Sequence, residues 1–318
     1  MPHVTFVHGL ANKPPPQTLH DIWLRALAAG NGLDLVAEGV STSMCYWADV
    51  LYASPDTGDD AAEYESTDDD AAAAADGSDA TVGGIDGEVE RLYVDGLRHH
   101  LTNATLAEVE AGMVPPAPEA GAVALERIPL PWFIKKRIMK AFLRDAHHYT
   151  FNKVHEPRPG ESFRVQDEIR RRFVELVAAP PSRPHIVVSH SMGTMISYDC
   201  LRRVAGCAAV DHLVTMGSPL GIDEVQDGFR PEWSRADGFP GEKLGSGRWI
   251  NVFDRLDVVC AADPRLSSDF RRSGVESIED VAVTNDGAWR HSVVKYLRQP
   301  RVRELLAELL GVPPPGTP

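Results

Sequence analysis

The sequence predicts an α/β fold: a doubly wound, mostly parallel sheet with an inserted helical cap. Strand patterns alternate with helical patterns at the start of the chain and again after about residue 160, which is typical of a parallel sheet. Residues 54–160 interrupt this alternation. We therefore expect a single domain over residues 1–318 in which 54–160 form an insertion.

The first forty residues have a β–α–β pattern. A short buried strand over 4–7 is followed by a loop with three prolines, a helix within 17–32 and a second strand over 33–40. The apolar residues of the helix recur at helical spacing: Leu19, Ile22, Trp23, Ala26 and Leu27.

The insertion has two parts of different composition. Residues 56–80 contain ten Asp or Glu and no Lys or Arg, and without them the formal net charge would change from −14 to −4. We expect this acidic segment to be flexible and dispensable for activity. Helical patterns within 85–112 and 131–152 predict a cap over about 85–152.

The helix at 131–146 combines an apolar face with a basic one. Its apolar residues are Trp132, Phe133, Ile134, Ile138 and Phe142, with Met139 and Leu143 beside them; its basic residues are Lys135, Lys136, Arg137, Lys140 and Arg144. Two interpretations are open: a cap helix that covers the pocket, or an interfacial lid that contacts anionic lipid. The short apolar face and the lack of a second membrane signal favour the cap.

After the insertion, helices and strands alternate again. We predict helices over 161–179, 192–205, 292–297 and 301–311, strands over 185–189, 248–254 and 279–286, and a strand followed by a turn within 211–219.

Composition argues against several classes of function. A globally acidic chain does not predict a nucleic-acid partner, because phosphate binding needs clustered Lys and Arg. The four cysteines form no C-x-x-C pair, so we expect reduced structural thiols and no metal site. The sequence has neither a signal-peptide pattern nor 18 consecutive apolar residues, and we expect a cytoplasmic protein. It gives no indication of oligomeric state.

The stretch VVSHSMG, residues 187–193, has the pattern of a nucleophile elbow, in which a strand turns sharply into a helix at a central serine. Small residues, Ser189 and Gly193, lie two positions before and after Ser191, where larger side chains would clash. The usual motif has glycine at the position of Ser189, and serine is small enough to replace it. The alternative is that Ser191 only caps the following helix.

A nucleophilic serine needs a base, and the base needs an orienting carboxylate. After an elbow of this kind the chain order is serine, acid, histidine. His212 follows Ser191 too closely for an acid to precede it on a separate strand, so His291 is the predicted base.

Two aspartates, Asp254 and Asp257, lie just after the strand that ends at about Phe253 and are candidates for the acid. Asp257 stands clear of the strand end and is favoured, whereas Asp254 is suited to bracing the turn. Asp263 is a third candidate.

An oxyanion hole requires two backbone donors. We predict the N–H of Met192 and the N–H of Leu10, because Gly9 allows the first loop to approach closely. His8 and His190 are predicted to be structural, with His190 pointing away from Ser191.

Five stretches in this order resemble the α/β-hydrolase superfamily of serine hydrolases, of the esterase and lipase type: FVHGL, VVSHSMG, VTMGSPLG, NVFDRLDVV and RHSVVKYL. The resemblance covers residues 3–53 and about 160–310. It implies hydrolysis of a carboxylic ester or thioester through an acyl-serine, with a small-molecule substrate and no metal or organic cofactor. The turn HGL, in place of HGGG, resembles the simpler oxyanion loop of the superfamily. It does not indicate which alcohol the ester substrate contains.

Thioesterase, amidase and lactonase activities are alternatives, because the same triad serves all of them. A catalytically silent scaffold that binds a ligand or a partner is an alternative from another class.

Overall fold

Six parallel strands form the central sheet of the computed structural model, which describes residues 1–57, 84–113, 132–179, 183–260, 263–287 and 289–316 but not the side chains of 101–113 and 132–139. The strands are β1 (His3–Val7), β2 (Ser41–Cys45), β5 (His185–His190), β6 (His212–Met216), β7 (Trp249–Asp254) and β8 (Ile278–Val283), in the spatial order β2-β1-β5-β6-β7-β8. A separate antiparallel hairpin consists of β3 (Val154–Arg158) and β4 (Glu161–Arg164).

Helices cover both faces of this sheet. They are α1 (Pro16–Ala28), α2 (Glu88–Met113), α3 (Trp132–Thr150), α4 (Val165–Ala178), α5 (Met192–Arg203), α6 (Asp223–Asp227), α7 (Gly241–Leu244), α8 (Val293–Arg298) and α9 (Pro300–Leu310). Alternate residues of β5 belong to different apolar clusters: Val187 packs with the cluster of α2 to α5, and Ile186 and Val188 with that of α1, α8 and α9. The near-continuous apolar sequence of β5 follows from burial on both faces.

The order of the strands reverses direction between β1 and β5. From β1 the chain proceeds outward to β2, and from β5 it proceeds outward through β6, β7 and β8 in the other direction. In open parallel sheets such a switch point leaves a crevice at the carboxyl ends of the strands, where ligands bind. The loop after β1 and the turn after β5, which contains Ser191, meet at this edge.

The predicted strand at 33–40 is wrong, and the second strand is β2 instead. The carboxylate of Asp34 accepts the N–H groups of Val36 and Ala37, each at 3.1 Å, and so closes a turn. β2 has the polar sequence STSMC and is mostly half-buried, because it is the edge strand. The predicted β–α–β unit nevertheless forms, since β1 and β2 pair in parallel.

Between β2 and β5 the chain forms α2, α3, the β3–β4 hairpin and α4. The helix predicted over 161–179 begins only at Val165, because Glu161–Arg164 pair with β3. The acidic segment falls almost entirely on 58–83, outside the described residues. The four cysteines are buried and unpaired. Within the described ranges no helix is both long enough and apolar enough to cross a membrane.

Candidate active site

Ser191 lies at a sharp turn between β5 and α5. Its backbone has φ 55° and ψ −130°, a conformation that costs a non-glycine residue free energy and is concentrated at functional sites. Its N–H donates to the carbonyl of Met216 at 3.0 Å, which ties the turn to β6. Ser191 occupies the N-cap position of α5, but its side chain caps no backbone N–H, so capping does not explain this serine.

The small residues around Ser191 are required by close backbone contacts. A β-carbon at Gly193 would lie 2.4 Å from the carbonyl oxygen of Val7 and 2.6 Å from that of His8. A β-carbon at Gly9 would lie 2.7 Å from the Cβ of Ser191. Both glycines therefore allow the end of β1 to pack directly against the turn.

Ser189 fits within the sheet at its own position. It is fully buried beside Val7 of β1, and its hydroxyl donates to the carbonyl of Val214 at 3.3 Å. A serine thus fits where the usual elbow has glycine.

His291 and Asp257 form a buried pair. Nδ1 of His291 lies 2.8 Å from both carboxylate oxygens of Asp257, which also accepts the hydroxyl of Tyr296 at 2.7 Å and the N–H of Val259 at 2.9 Å. Burial alone would raise the pKa of Asp257, but the nearby His291 and these hydrogen bonds outweigh burial and lower it. Because an ionised carboxylate only accepts, Nδ1 carries the proton and Nε2 of His291 is left as an acceptor.

Asp254 has different partners. Its carboxylate accepts the N–H of Leu256 at 2.8 Å, the N–H of Asn285 at 2.7 Å and the guanidinium of Arg290 at 3.0 Å. It therefore braces the loops after β7 and β8. Asp263 is not a partner of His291; its carbonyl oxygen packs against Gly221.

Ser191 and His291 line the same small pocket at the switch-point edge of the sheet. Its lining residues are Gly9, Leu10, Lys13, His190, Ser191, Trp289, His291, Ser292 and Val293. Oγ of Ser191 and Nε2 of His291 are both buried and have no hydrogen-bond partner among the described residues. His190 Nε2 and Ser292 Oγ, from two other lining residues, are likewise buried without a partner in the described part of the chain. Unpaired buried polar atoms are rare in native proteins, and four on the residues lining one pocket indicate a site for a ligand.

The two predicted oxyanion donors lie on the two segments that meet at Ser191. Leu10 lines the pocket, and Met192 follows Ser191 directly as the first residue of α5, where a helix N-terminus leaves N–H groups unpaired. Neither N–H donates to a backbone carbonyl in the described part of the chain. Their role as oxyanion donors stays a prediction.

The two other histidines of the predicted site differ in position. His8 is structural: its Nδ1–H donates to the carbonyl of Gly9 at 2.8 Å and its Nε2 accepts the N–H of Trp47 at 3.0 Å. His190 does not point away from the site. Its ring centroid lies 4.6 Å from that of His291, and it lines the pocket because Gly9 leaves room for it.

Burial and the neighbouring His291 lower the pKa of His190 well below 6.5, so this ring is neutral at neutral pH.

Sequence reasoning missed three further residues of the site. The hydroxyl of Tyr296 donates to Asp257 and accepts the N–H of Asp254 at 3.0 Å. Gly217 lies so close to Asp257 that a β-carbon on it would be 2.8 Å from Oδ2. Lys13 lines the pocket. Tyr296 and Gly217 lie within the stretches RHSVVKYL and VTMGSPLG, which was the available signal. Nothing local marks Lys13.

No protein-family model matches the chain, and no curated protein matches its sequence. Within the described ranges, no three His, Cys, Asp or Glu side chains cluster as they would around a metal ion. The arrangement itself provides a serine on a strained turn, an imidazole whose Nε2 has no partner among the described residues and an ionised carboxylate that orients the imidazole. These are the components of nucleophilic catalysis by serine.

Proposed function

We propose that the chain is a serine hydrolase of the α/β-hydrolase superfamily that cleaves carboxylic esters through an acyl-serine. One observation carries the proposal: Ser191 and His291 line one pocket, their Oγ and Nε2 are buried without a partner among the described residues, and Asp257 holds the other nitrogen of His291. Thioester and amide hydrolysis use the same groups and are tested as alternative substrates.

In the first half-reaction Ser191 Oγ attacks the acyl carbon while His291 Nε2 takes the hydroxyl proton. Asp257 stabilises the imidazolium, and the N–H groups of Leu10 and Met192 bind the developing oxyanion. The intermediate collapses as the C–O bond to the alcohol breaks, and His291 gives its proton to the departing oxygen. Water then repeats these steps on the acyl-serine and restores the hydroxyl of Ser191.

The pocket favours small acyl groups. The cavity between its described walls measures about 10 Å³, room for about one water molecule and far below the roughly 300–1,000 Å³ of sites for drug-sized ligands. We expect p-nitrophenyl acetate and butyrate to be turned over faster than esters of long acids.

The insertion is proposed to cap this pocket. α3 lies beside the loop after β1, because Asp145 of α3 accepts the N–H of Ala11 at 2.8 Å, and this contact supports α3 as part of a cap. Among the described residues, none of α3 lines the pocket itself, and Phe142 is fully buried in the apolar core. Trp132, Phe133, Ile134 and Ile138, which were predicted to share its apolar face, lie outside the described side chains.

Replacement of the nucleophile tests the function. Ser191→Ala should lower turnover of p-nitrophenyl acetate by about 10⁴-fold or more, since the triad acts as a unit, and His291→Ala by a similar factor. A fluorophosphonate should label Ser191, as located by mass spectrometry.

Ser292→Ala is the matched control. Ser292 also lines the pocket with a buried, unpaired hydroxyl, but its φ of −66° is ordinary. Labelling should persist in this variant. Full activity of Ser191→Ala would refute the assignment, and a wild-type protein that neither labels nor hydrolyses any acyl substrate would indicate a silent scaffold.

A further inference from the structure

The loop after β1, which carries Leu10, is held by a side chain from the distant helix α3. The N–H of Ala11 donates to Oδ2 of Asp145 at 2.8 Å, although the two residues are 134 positions apart. Ala11 has φ 68°, in the left-handed region that residues other than glycine rarely adopt. A strained backbone of this kind persists only where its surroundings fix it.

The carboxylate of Asp145 is itself rigidly held. It is fully buried; Oδ1 accepts Nε and Nη2 of Arg144 at 3.0 and 2.8 Å, and Oδ2 accepts the hydroxyl of Tyr52 at 3.0 Å. The guanidinium of Arg144 lies 4.5 Å from the centroid of the Tyr52 ring, which restricts it in turn. Asp145 therefore presents Oδ2 to Ala11 from a fixed position.

The same helix is also tied to the element that carries the second oxyanion donor. The hydroxyl of Tyr149, one turn beyond Asp145 on α3, donates to the buried carboxylate of Asp199 on α5 at 2.7 Å. Asp199 is further held by Arg170 and Arg203. Thus α3 bonds to the loop of Leu10 and to the helix that begins at Met192.

We propose that Asp145 is a positioning residue that orients the N–H of Leu10 by fixing the Leu10–Ala11 peptide. Donors of an oxyanion hole are effective only when they are preorganised toward the oxygen of the transition state. Asp145 contacts no substrate atom; it acts through the backbone one peptide away. This inference rests on the proposed function, and it assigns to the insertion a part in catalysis as well as in covering the pocket.

Asp145→Ala tests the proposal. Complete loss of one oxyanion donor costs about 10²–10³-fold in kcat, and a donor that is merely misoriented should cost at least about 10-fold. We expect kcat per titrated active site to fall within these limits while KM changes less than about threefold. The inhibition constant of an alkyl trifluoromethyl ketone, which forms an oxyanion on Ser191, should rise by the same factor as kcat falls.

Tyr52→Phe is the matched control. It removes one of the groups that hold Asp145 but leaves the bond to Ala11 in place, so kcat per site should fall much less than in Asp145→Ala. Asp145→Asn retains an acceptor oxygen and should recover most of the activity that Asp145→Ala loses.

A purely structural role predicts a different result. Fluorophosphonate burst titration would then count fewer active sites in Asp145→Ala, with kcat per site and ketone inhibition unchanged, and this outcome would overturn the proposal. If Asp145→Ala does not fold, replacement of Ala11 by lactic acid removes only the N–H and should produce the same loss. Failure of the proposed function is distinguishable, because wild-type turnover would then not depend on Ser191.

Discussion

Asp254 and Asp257 are three residues apart, yet they bond to different groups. Asp257 holds Nδ1 of His291, whereas Asp254 holds two backbone N–H groups and Arg290. The backbone N–H of Asp257 donates to the carbonyl of Asp254, so the turn between them directs the two carboxylates differently.

The two aspartates should differ in what their loss affects. Asp257→Asn should lower kcat by about 10³–10⁴-fold, because an amide can donate toward Nδ1 and so favour the wrong tautomer of His291. Asp254→Asn should mainly lower the free energy of unfolding, since Arg290 loses its partner. Steady-state kinetics and urea unfolding of both variants separate the effects, and the reverse ranking in kcat would show that Asp257 is not the acid.

Individual residues of the site were predictable where local geometry determines them. Ser191 and His291 followed from the elbow and the chain order, and the structure brings both to one pocket. The position of His190 was not predictable, because it depends on the space left by Gly9 across the sheet. Asp145 could not be found at all, since no sequence pattern relates it to Ala11.

At the scale of elements, the junction of β1 with α5 is the tightest contact of the site. Gly193 allows it, since any β-carbon there would meet backbone oxygens of Val7 and His8, which cannot move aside as a side chain could. The sharp turn at Ser191 therefore depends on the close packing of α5 against the end of β1.

Gly193→Ala should push α5 away from the end of β1. We expect a loss of stability of about 1–3 kcal/mol, as for other overpacked sites, and at least a 10-fold loss of turnover as Ser191 shifts. Gly206→Ala is the control: it has an ordinary φ and no atom within 4 Å of the added carbon, so it should leave turnover unchanged. Equal behaviour of the two variants in thermal melts and kinetics would contradict this contact.

Helices and central strands were predicted better than the edges of the fold. The apolar run of β5 and the helical spacing of α1 reflect burial, which sequence patterns record. β2 is a polar, half-buried edge strand, so its sequence carries little of the apolar signal of a strand. The second strand was therefore assigned to residues 33–40, which are more apolar. Phe142 was predicted to lie on the helix face that covers the pocket; it is fully buried in the core and is not among the residues that line the pocket.

At the scale of the whole molecule, buried histidines connect stability to pH. Burial, with a smaller contribution from Lys13, lowers the pKa of His8 to about 3, and burial together with His3 lowers the pKa of His185 to about 4. An unfolded chain binds these protons near pH 6.5. Between pH 6.5 and about 4 the unfolded state therefore binds more protons than the native state, and stability falls as the pH falls.

Urea unfolding at several pH values measures this dependence. His8 alone should contribute up to about 1.4 kcal/mol per pH unit below 6.5. His8→Asn keeps a donor toward Gly9 but cannot titrate, so its free energy of unfolding should decline less steeply than that of wild type. A wild-type slope in His8→Asn would rule out this histidine as a source of acid sensitivity.

The position of β1 in the sheet also constrains how the chain is made. Thr5 of β1 and His185 of β5 are hydrogen-bonded neighbours but are 180 residues apart in sequence. A ribosome that adds about 5–20 residues per second takes roughly 10–40 s to deliver the second strand after the first. During that interval β2 can pair with one edge of β1, but the edge that later pairs with β5 has no partner strand. All residues of β1 are buried in the finished protein. Such an edge is a template for aggregation, so nascent chains that stall before β5 emerges are the form of this protein most dependent on chaperones.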